Sequence, residues 1–157
     1  MLVRLLSAFC VLLFGVSNLT AQGKTEIPIP TEVQLAWQEA ELGVLFQLDL
    51  HTFTPGKWWP SRGDAPIEDI NVFNPKQLDT DQWVSAAKNM GAKFAIFTVS
   101  HVSGFRMWQS DVNPYSLRSV KWGNGKRDLL AEFVASCKKY EIKPGIFIGT
   151  RQNAHLN

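Results

Sequence analysis

Apolar residues recur along this chain in two rhythms that alternate. After a Pro-punctuated lead-in, Ile27-Pro28-Ile29-Pro30, the positions Val33, Ala36, Trp37 and Ala40 follow helical spacing. Thr31 and Gln34 form a capping-box pair at the entrance, and Gly43 is expected to stop the helix. Val44 to His51 (VLFQLDLH) then alternates with period two. Val44, Phe46, Leu48 and Leu50 point one way, whereas Leu45, Gln47, Asp49 and His51 point the other and become polar toward the C-terminal end. That pattern predicts a barrel-wall strand, with helices outside and a site at the inner mouth. Asp79 and Gln82 open a second helix with the face Trp83, Ala86, Ala87 and Met90, closed by Gly91. Phe94 to Val99 (FAIFTV) is continuously apolar, as in a parallel strand buried on both faces. Asp128 starts a third helix with the face Leu130, Phe133, Val134, Cys137 and Tyr140. Its end lacks a glycine, which places Glu141 in the left-handed region at a cost of about 1 kcal/mol. A third strand runs from near Ile142 to Ile148, with Pro144 early in it. Strands alternating with helices in this way predict an α/β fold with a parallel sheet.

Two long segments interrupt the rhythm, Thr52 to Gln77 and Ser100 to Gly125. Both follow strand C-termini, where barrels and open α/β sheets carry their sites. At 26 residues, the first exceeds an ordinary connection. Its Phe53, Trp58, Trp59 and Phe73 argue against disorder. Together the segments hold Trp58, Trp59, Phe105, Trp108, Tyr115 and Trp122, flat rings that either stack on the apolar face of a sugar or pack the loops onto the sheet.

The N-terminus is of a different kind. Arg4 precedes the apolar run Leu5 to Val16, and Ser17 to Ala21 is a small-residue cleavage region, so residues 1–21 read as a secretory signal peptide with a cut near Ala21. The run is too short to span a bilayer. Secreted or periplasmic localisation follows, with no membrane attachment after cleavage. Residues 22–157 form the expected domain. Of the 16 Lys and Arg and 14 Asp and Glu in the chain, only Arg4 lies in the signal, so the mature part is nearly neutral. That removes the electrostatic case for nucleic acid. Cys137 alone survives cleavage, which excludes an intrachain disulfide. No cofactor is implied, and no oligomeric state.

Among the polar residues, Asp49 and His51 stand at i and i+2 of the first strand and His101 at the end of the second. The three could meet at a ligand or, in a metal-dependent barrel hydrolase, at an ion; the plainer reading is a hydrogen-bonded interior layer. Ser100 and Ser103 flank His101, but no G-x-S-x-G elbow accompanies them. Gly123-Asn124-Gly125-Lys126 lacks phosphate-loop spacing and reads as a turn leading into a helix.

Four colinear blocks resemble one family, the α-L-fucosidases of glycoside hydrolase family 29. They are ELGVLFQLDLHTFTPGKW (Glu41 to Trp58), FNPKQLDTDQWVSAAKNMG (Phe73 to Gly91), SHVSGFRMWQS (Ser100 to Ser110) and Gly123 to Gly145. The resemblance implies a (β/α)8 catalytic barrel of which this stretch is the N-terminal part, about three βα units. It also implies retaining cleavage of terminal L-fucose by an Asp nucleophile and a carboxylic acid/base. Carried across residue by residue, the sugar-binding positions are Gln47, Lys57, Trp58, His101 and Val102. Trp58 and His101 keep the family type. Gln47 stands for a His, Lys57 for a Glu and Val102 for a second His. Losing the polar partner of a buried hydroxyl costs about 1–3 kcal/mol, so these departures point to a different sugar or a weakened site.

The family's nucleophile follows the fourth strand and its acid/base lies later, so no residue here is assigned to either role. A (β/α)8 barrel takes about 250 residues, which makes the 157-residue chain an expected N-terminal fragment. The leading expectation is a secreted α-L-fucosidase-like glycosidase acting on fucosylated oligosaccharides or related glycans. The alternative is a non-catalytic carbohydrate-binding remnant with altered sugar preference.

Overall fold

The computed structural model describes residues 27–54 and 69–150. The expected signal peptide lies outside the described residues, as do Lys57, Trp58 and Trp59. The chain divides into two compact units, Met1–Leu35 and Ala36–Asn157. Near the end of the first, Thr31 makes the predicted capping box: its N–H donates to Gln34 Oε1 at 2.8 Å and its Oγ1 accepts from Gln34 N–H at 3.3 Å. Helix α1 is Glu32–Glu39. It ends before Gly43, with Glu41 taking the left-handed turn at φ 54°. Gly43 instead opens the first strand. A Cβ there would collide with the Phe94 ring, so the glycine serves a close approach and not a helix stop.

The second unit is built on a parallel sheet in the order β1 (Gly43–Gln47), β2 (Phe94–Ser100), β3 (Lys143–Ile148). Helices α2 (Thr80–Asn89) and α3 (Leu129–Lys139) connect its strands. Asp79 and Asp128 cap them as predicted, accepting from Asp81 N–H and Ala131 N–H, each at 2.9 Å. The two helices also end alike. After α2, Gly91 N–H reaches Lys88 C=O and Ala92 N–H reaches Ala87 C=O; after α3, Glu141 N–H reaches Lys138 C=O and Ile142 N–H reaches Cys137 C=O. Both are Schellman turns, and both need a positive φ, 88° at Gly91 and 55° at Glu141.

The core lies between the helices and one face of the sheet. Register sets Val44 beside Ala95 and Phe46 beside Phe97. Phe46 stacks on Trp83 at 5.6 Å, and Phe97 lies 5.7 Å from Trp83 and 5.5 Å from Phe133. Fully burying a Phe side chain contributes about 1.5–3 kcal/mol, which makes this aromatic layer the main adhesive of the unit. The buried face of α2 is Thr80, Val84 and Ala87 with Trp83 beside them, whereas Ala86 and Met90 are exposed. The expected face was thus rotated by about one residue, because Thr80 is drawn inward by a hydrogen bond across to Ser136 on α3.

Strand β3 differs from β2. Ile146, Phe147 and Ile148 remain 53%, 46% and 45% exposed, and Leu45 on β1 is 57% exposed. Pro144 sits second in β3, where an early proline was expected. Among the described residues no helix is long and apolar enough to cross a membrane. Among the described residues the architecture is a three-stranded parallel α/β sheet with three α-helices.

Candidate functional site at the strand ends

The strand that carries Gln47 ends there. Asp49 and His51 do not continue it as i and i+2; they enter a 3-10 turn, Leu50–Phe53, that Asp49 caps. The backbone N–H of Asp49 donates to Thr52 Oγ1 at 3.4 Å, and Asp49 Oδ1 accepts from Leu50 N–H at 2.8 Å. An Asp followed three residues later by Thr is a turn signal that outranks the alternation of the preceding strand. The turn folds His51 back toward the carboxylate that the extended reading would have left two residues behind.

Strand β2 supplies the other half. Its pairing with β3 skips Val99, since Thr98 opposes Phe147 and Ser100 opposes Ile148. The skipped residue's carbonyl accepts from Met107 N–H at 2.9 Å, which folds the following loop back over the strand end. That loop brings in Ser103, 54 residues from Asp49. The Ser103 hydroxyl donates to Asp49 Oδ1, and its N–H donates to Asp49 Oδ2 at 3.3 Å. Ser103 Oγ also accepts from Phe105 N–H at 3.0 Å. At 1% exposed and bonded on both sides, Ser103 is no nucleophile; it is an anchor. Nothing in its local sequence announces the role.

Asp49 is the hub of this arrangement and only 5% exposed. A buried carboxylate is costly unless its lone pairs are met, and three donors from two loops meet them here. On the remaining side, His51 Nδ1 lies 3.5 Å and His101 Nδ1 3.7 Å from Asp49 Oδ2. Asp49, His51 and His101 therefore come together as the sequence suggested. Among the described residues, however, no group of three His, Cys, Asp or Glu is arranged to hold a metal ion, and the metal-hydrolase reading is set aside.

The aromatic set divides. Phe105 and Tyr115 are buried and meet edge to face at 5.6 Å, so they are loop core and not stacking platforms. Trp122 donates its Nε1–H to Pro75 C=O at 2.8 Å and lies under the Arg127 guanidinium, 4.1 Å from the ring centre. Trp108 is half-buried against the same core. Trp58 and Trp59 lie outside the described residues. Gly123, Asn124 and Gly125 make the expected turn, all with positive φ.

Of the positions expected from the sequence to bind sugar, Gln47 is exposed at the C-terminal end of β1, in register with Thr98. His101 follows β2 and lies 6.3 Å, ring to ring, from Phe147. Val102 is buried at 8% exposure and offers no polar group to a ligand.

The alpha-L-fucosidase family profile matches residues 50–154, which takes in most of the described strand–helix framework. The chain belongs to the alpha-L-fucosidase family. It is 32% identical over 122 residues to alpha-L-fucosidase 1 of Arabidopsis thaliana, a match that takes in 78% of this chain and 23% of that protein. A solved structure from Bacteroides thetaiotaomicron, provisionally assigned as an alpha-L-fucosidase, superposes with a TM-score of 0.76 at 53% identity over 83% of this chain and 31% of its own. A glycoside hydrolase 29 family member from a rumen bacterium superposes with a TM-score of 0.69 at 36% identity, over 77% of this chain and 21% of its own. This alpha-L-fucosidase-family chain thus spans about a quarter of the length of the curated plant relative. His101, Lys57 and Trp58 fall within the profile match, whereas Gln47 and Asp49 precede it.

Proposed function

We propose that this chain forms the first three βα units, and part of the sugar-binding rim, of a secreted glycosidase of α-L-fucosidase type with a (β/α)8 barrel. The single observation that carries this reading is the family match over residues 50–154, which takes in His51 and His101, the two histidines that the described structure gathers around Asp49. The uncovered apolar side chains of Leu45, Ile146 and Ile148 support a larger sheet, because further barrel strands and helices would bury them. Gln47, Lys57, Trp58 and His101 are the residues proposed to contact the sugar of a fucosylated glycan. Retaining hydrolysis passes through a glycosyl-enzyme intermediate formed by one carboxylate while another protonates the leaving group. Neither of those two carboxylates is assigned within this stretch.

Two measurements test the reading. The chain alone is expected to leave aryl α-L-fucosides intact while its tryptophan fluorescence responds to L-fucose; a flat response to every monosaccharide tried would remove the sugar site. Downstream sequence is expected to supply a fourth βα unit with a strand-end Asp, and a continuous frame without them overturns the enzyme. Export through residues 1–21 predicts a mature N-terminus near Gln22 in secreted material.

The buried Val102 favours a second reading, a carbohydrate-binding remnant without catalysis. It predicts sugar binding with no hydrolysis even when the downstream barrel is present.

A further inference from the structure

We infer that His51 is a second imidazole in the sugar site, paired with His101 and set in orientation by Asp49, so that the two rings together read hydroxyls of a monosaccharide. The inference rests on the reading of this site as a glycan site, and it adds a contact residue and a positioning residue to it. The argument begins with the carboxylate. Oδ1 of Asp49 is occupied by the Leu50 N–H and the Ser103 hydroxyl, and Oδ2 by the Ser103 N–H, so the carboxylate cannot rotate without losing donors from both loops. What remains of Oδ2 faces both imidazoles, with Nδ1 of each within 3.7 Å.

His51 Nδ1 is fully buried and makes no conventional hydrogen bond, yet it stands 3.5 Å from that oxygen. A bare nitrogen lone pair facing a carboxylate lone pair would be repulsive. The proton therefore belongs on Nδ1, and the tautomer is set by the neighbour. The side chain of His51 is nevertheless 23% exposed. With Nδ1 buried, that exposure falls on other atoms of the side chain, and with the proton on Nδ1 the Nε2 lone pair is the one left to accept from a hydroxyl. The exposed ring of Phe147 beside His101 supplies an apolar wall, the complement a sugar ring asks for.

The test uses the full chain with 15N-labelled histidine, read by long-range 1H–15N correlation, with resonances assigned through His51→Gln and His101→Gln. At a pH where the rings are neutral, His51 is expected as the Nδ1–H tautomer, and addition of L-fucose or another bound monosaccharide should move the Nε2 signals of both histidines. His51→Gln should weaken sugar binding about tenfold, the loss of one hydrogen bond to a ligand hydroxyl. Asp49→Asn keeps the shape but turns an acceptor into a donor. It should drive His51 to the Nε2–H tautomer with the fold intact by circular dichroism, a change that a purely structural Asp49 would not produce. An Nε2–H tautomer in the unsubstituted chain overturns the orienting role of Asp49. Sugar-induced shifts at His101 but not His51 overturn the pairing while the glycan reading stands. No shift at either histidine with any sugar overturns both.

Discussion

Glu141 shows how a single residue can hold a conformation that its side chain opposes. Its φ of 55° closes the Schellman turn after α3, the place that Gly91 fills after α2. The left-handed region costs a non-glycine residue about 1 kcal/mol, so Glu141→Gly is expected to raise stability by about that amount, seen as a higher urea midpoint with an unchanged slope. An exposed ion pair contributes little, so a lower midpoint would show that the 3.8 Å pair of Glu141 with Lys88 matters more than the backbone strain. Cys137 is the buried counterpart four residues earlier. Desolvation pushes its thiol up to about 11 from an ordinary 9.0. Below pH 9 both folded and unfolded chains keep the proton. Between pH 9 and about 11 the unfolded chain releases it first, so the stability this group contributes falls as pH rises through that window. At neutral pH a thiol reagent should label the Cys137 peptide only after denaturation; prompt labelling of the folded chain would contradict its burial.

Between elements, the contact of α2 with α3 is polar at its centre. Thr80 Oγ1 and Ser136 Oγ lie 2.8 Å apart, and the Ser136 hydroxyl reaches Asp81 Oδ1 at 2.6 Å, where Lys139 Nζ also binds the other carboxylate oxygen. The Lys139 ammonium and the Ser136 hydroxyl hold the Asp81 carboxyl below its usual range. Removing one partner strands the others. Ser136→Ala is therefore expected to cost about 1–2 kcal/mol through the buried Thr80 hydroxyl, measured by chemical denaturation. A loss well below that would mean that water replaces the serine. The helices themselves were legible because Asp79, Asp128 and Gly91 are strong local signals that tertiary contacts do not override. Their rotation was less legible. Apolar spacing alone cannot know that Thr80 will be satisfied by a residue 56 positions away, so Ala86 and Met90 were expected inside and Val84 was not.

At the scale of the molecule, β3 leaves Ile146, Phe147 and Ile148 uncovered, and Leu45 lies bare on β1. Apolar sheet surface with an unpaired edge promotes association. The chain by itself should self-associate in sedimentation velocity as concentration rises, and Leu45→Gln with Ile146→Gln should shift it toward monomer. A monodisperse monomer of the unsubstituted chain throughout the range would show that the surface is covered in solution. Leu45, Ile146 and Ile148 are the side chains that the proposed barrel would cover.

The amino-acid sequence by itself determined the alternation of strands and helices, the parallel sheet, both capped helix starts, the left-handed Glu141 and the family. Each depends on residues close in the chain, or on motifs read in order. Only the tertiary structure decided what the loops do. Phe105 and Tyr115 could have been sugar platforms, and became loop core because the fold brings their rings into contact. Asp49 could have been one wall residue among several. It became the hub because the bulge at the end of β2 carries Ser103 across to it, and a buried carboxylate persists only where such distant donors converge.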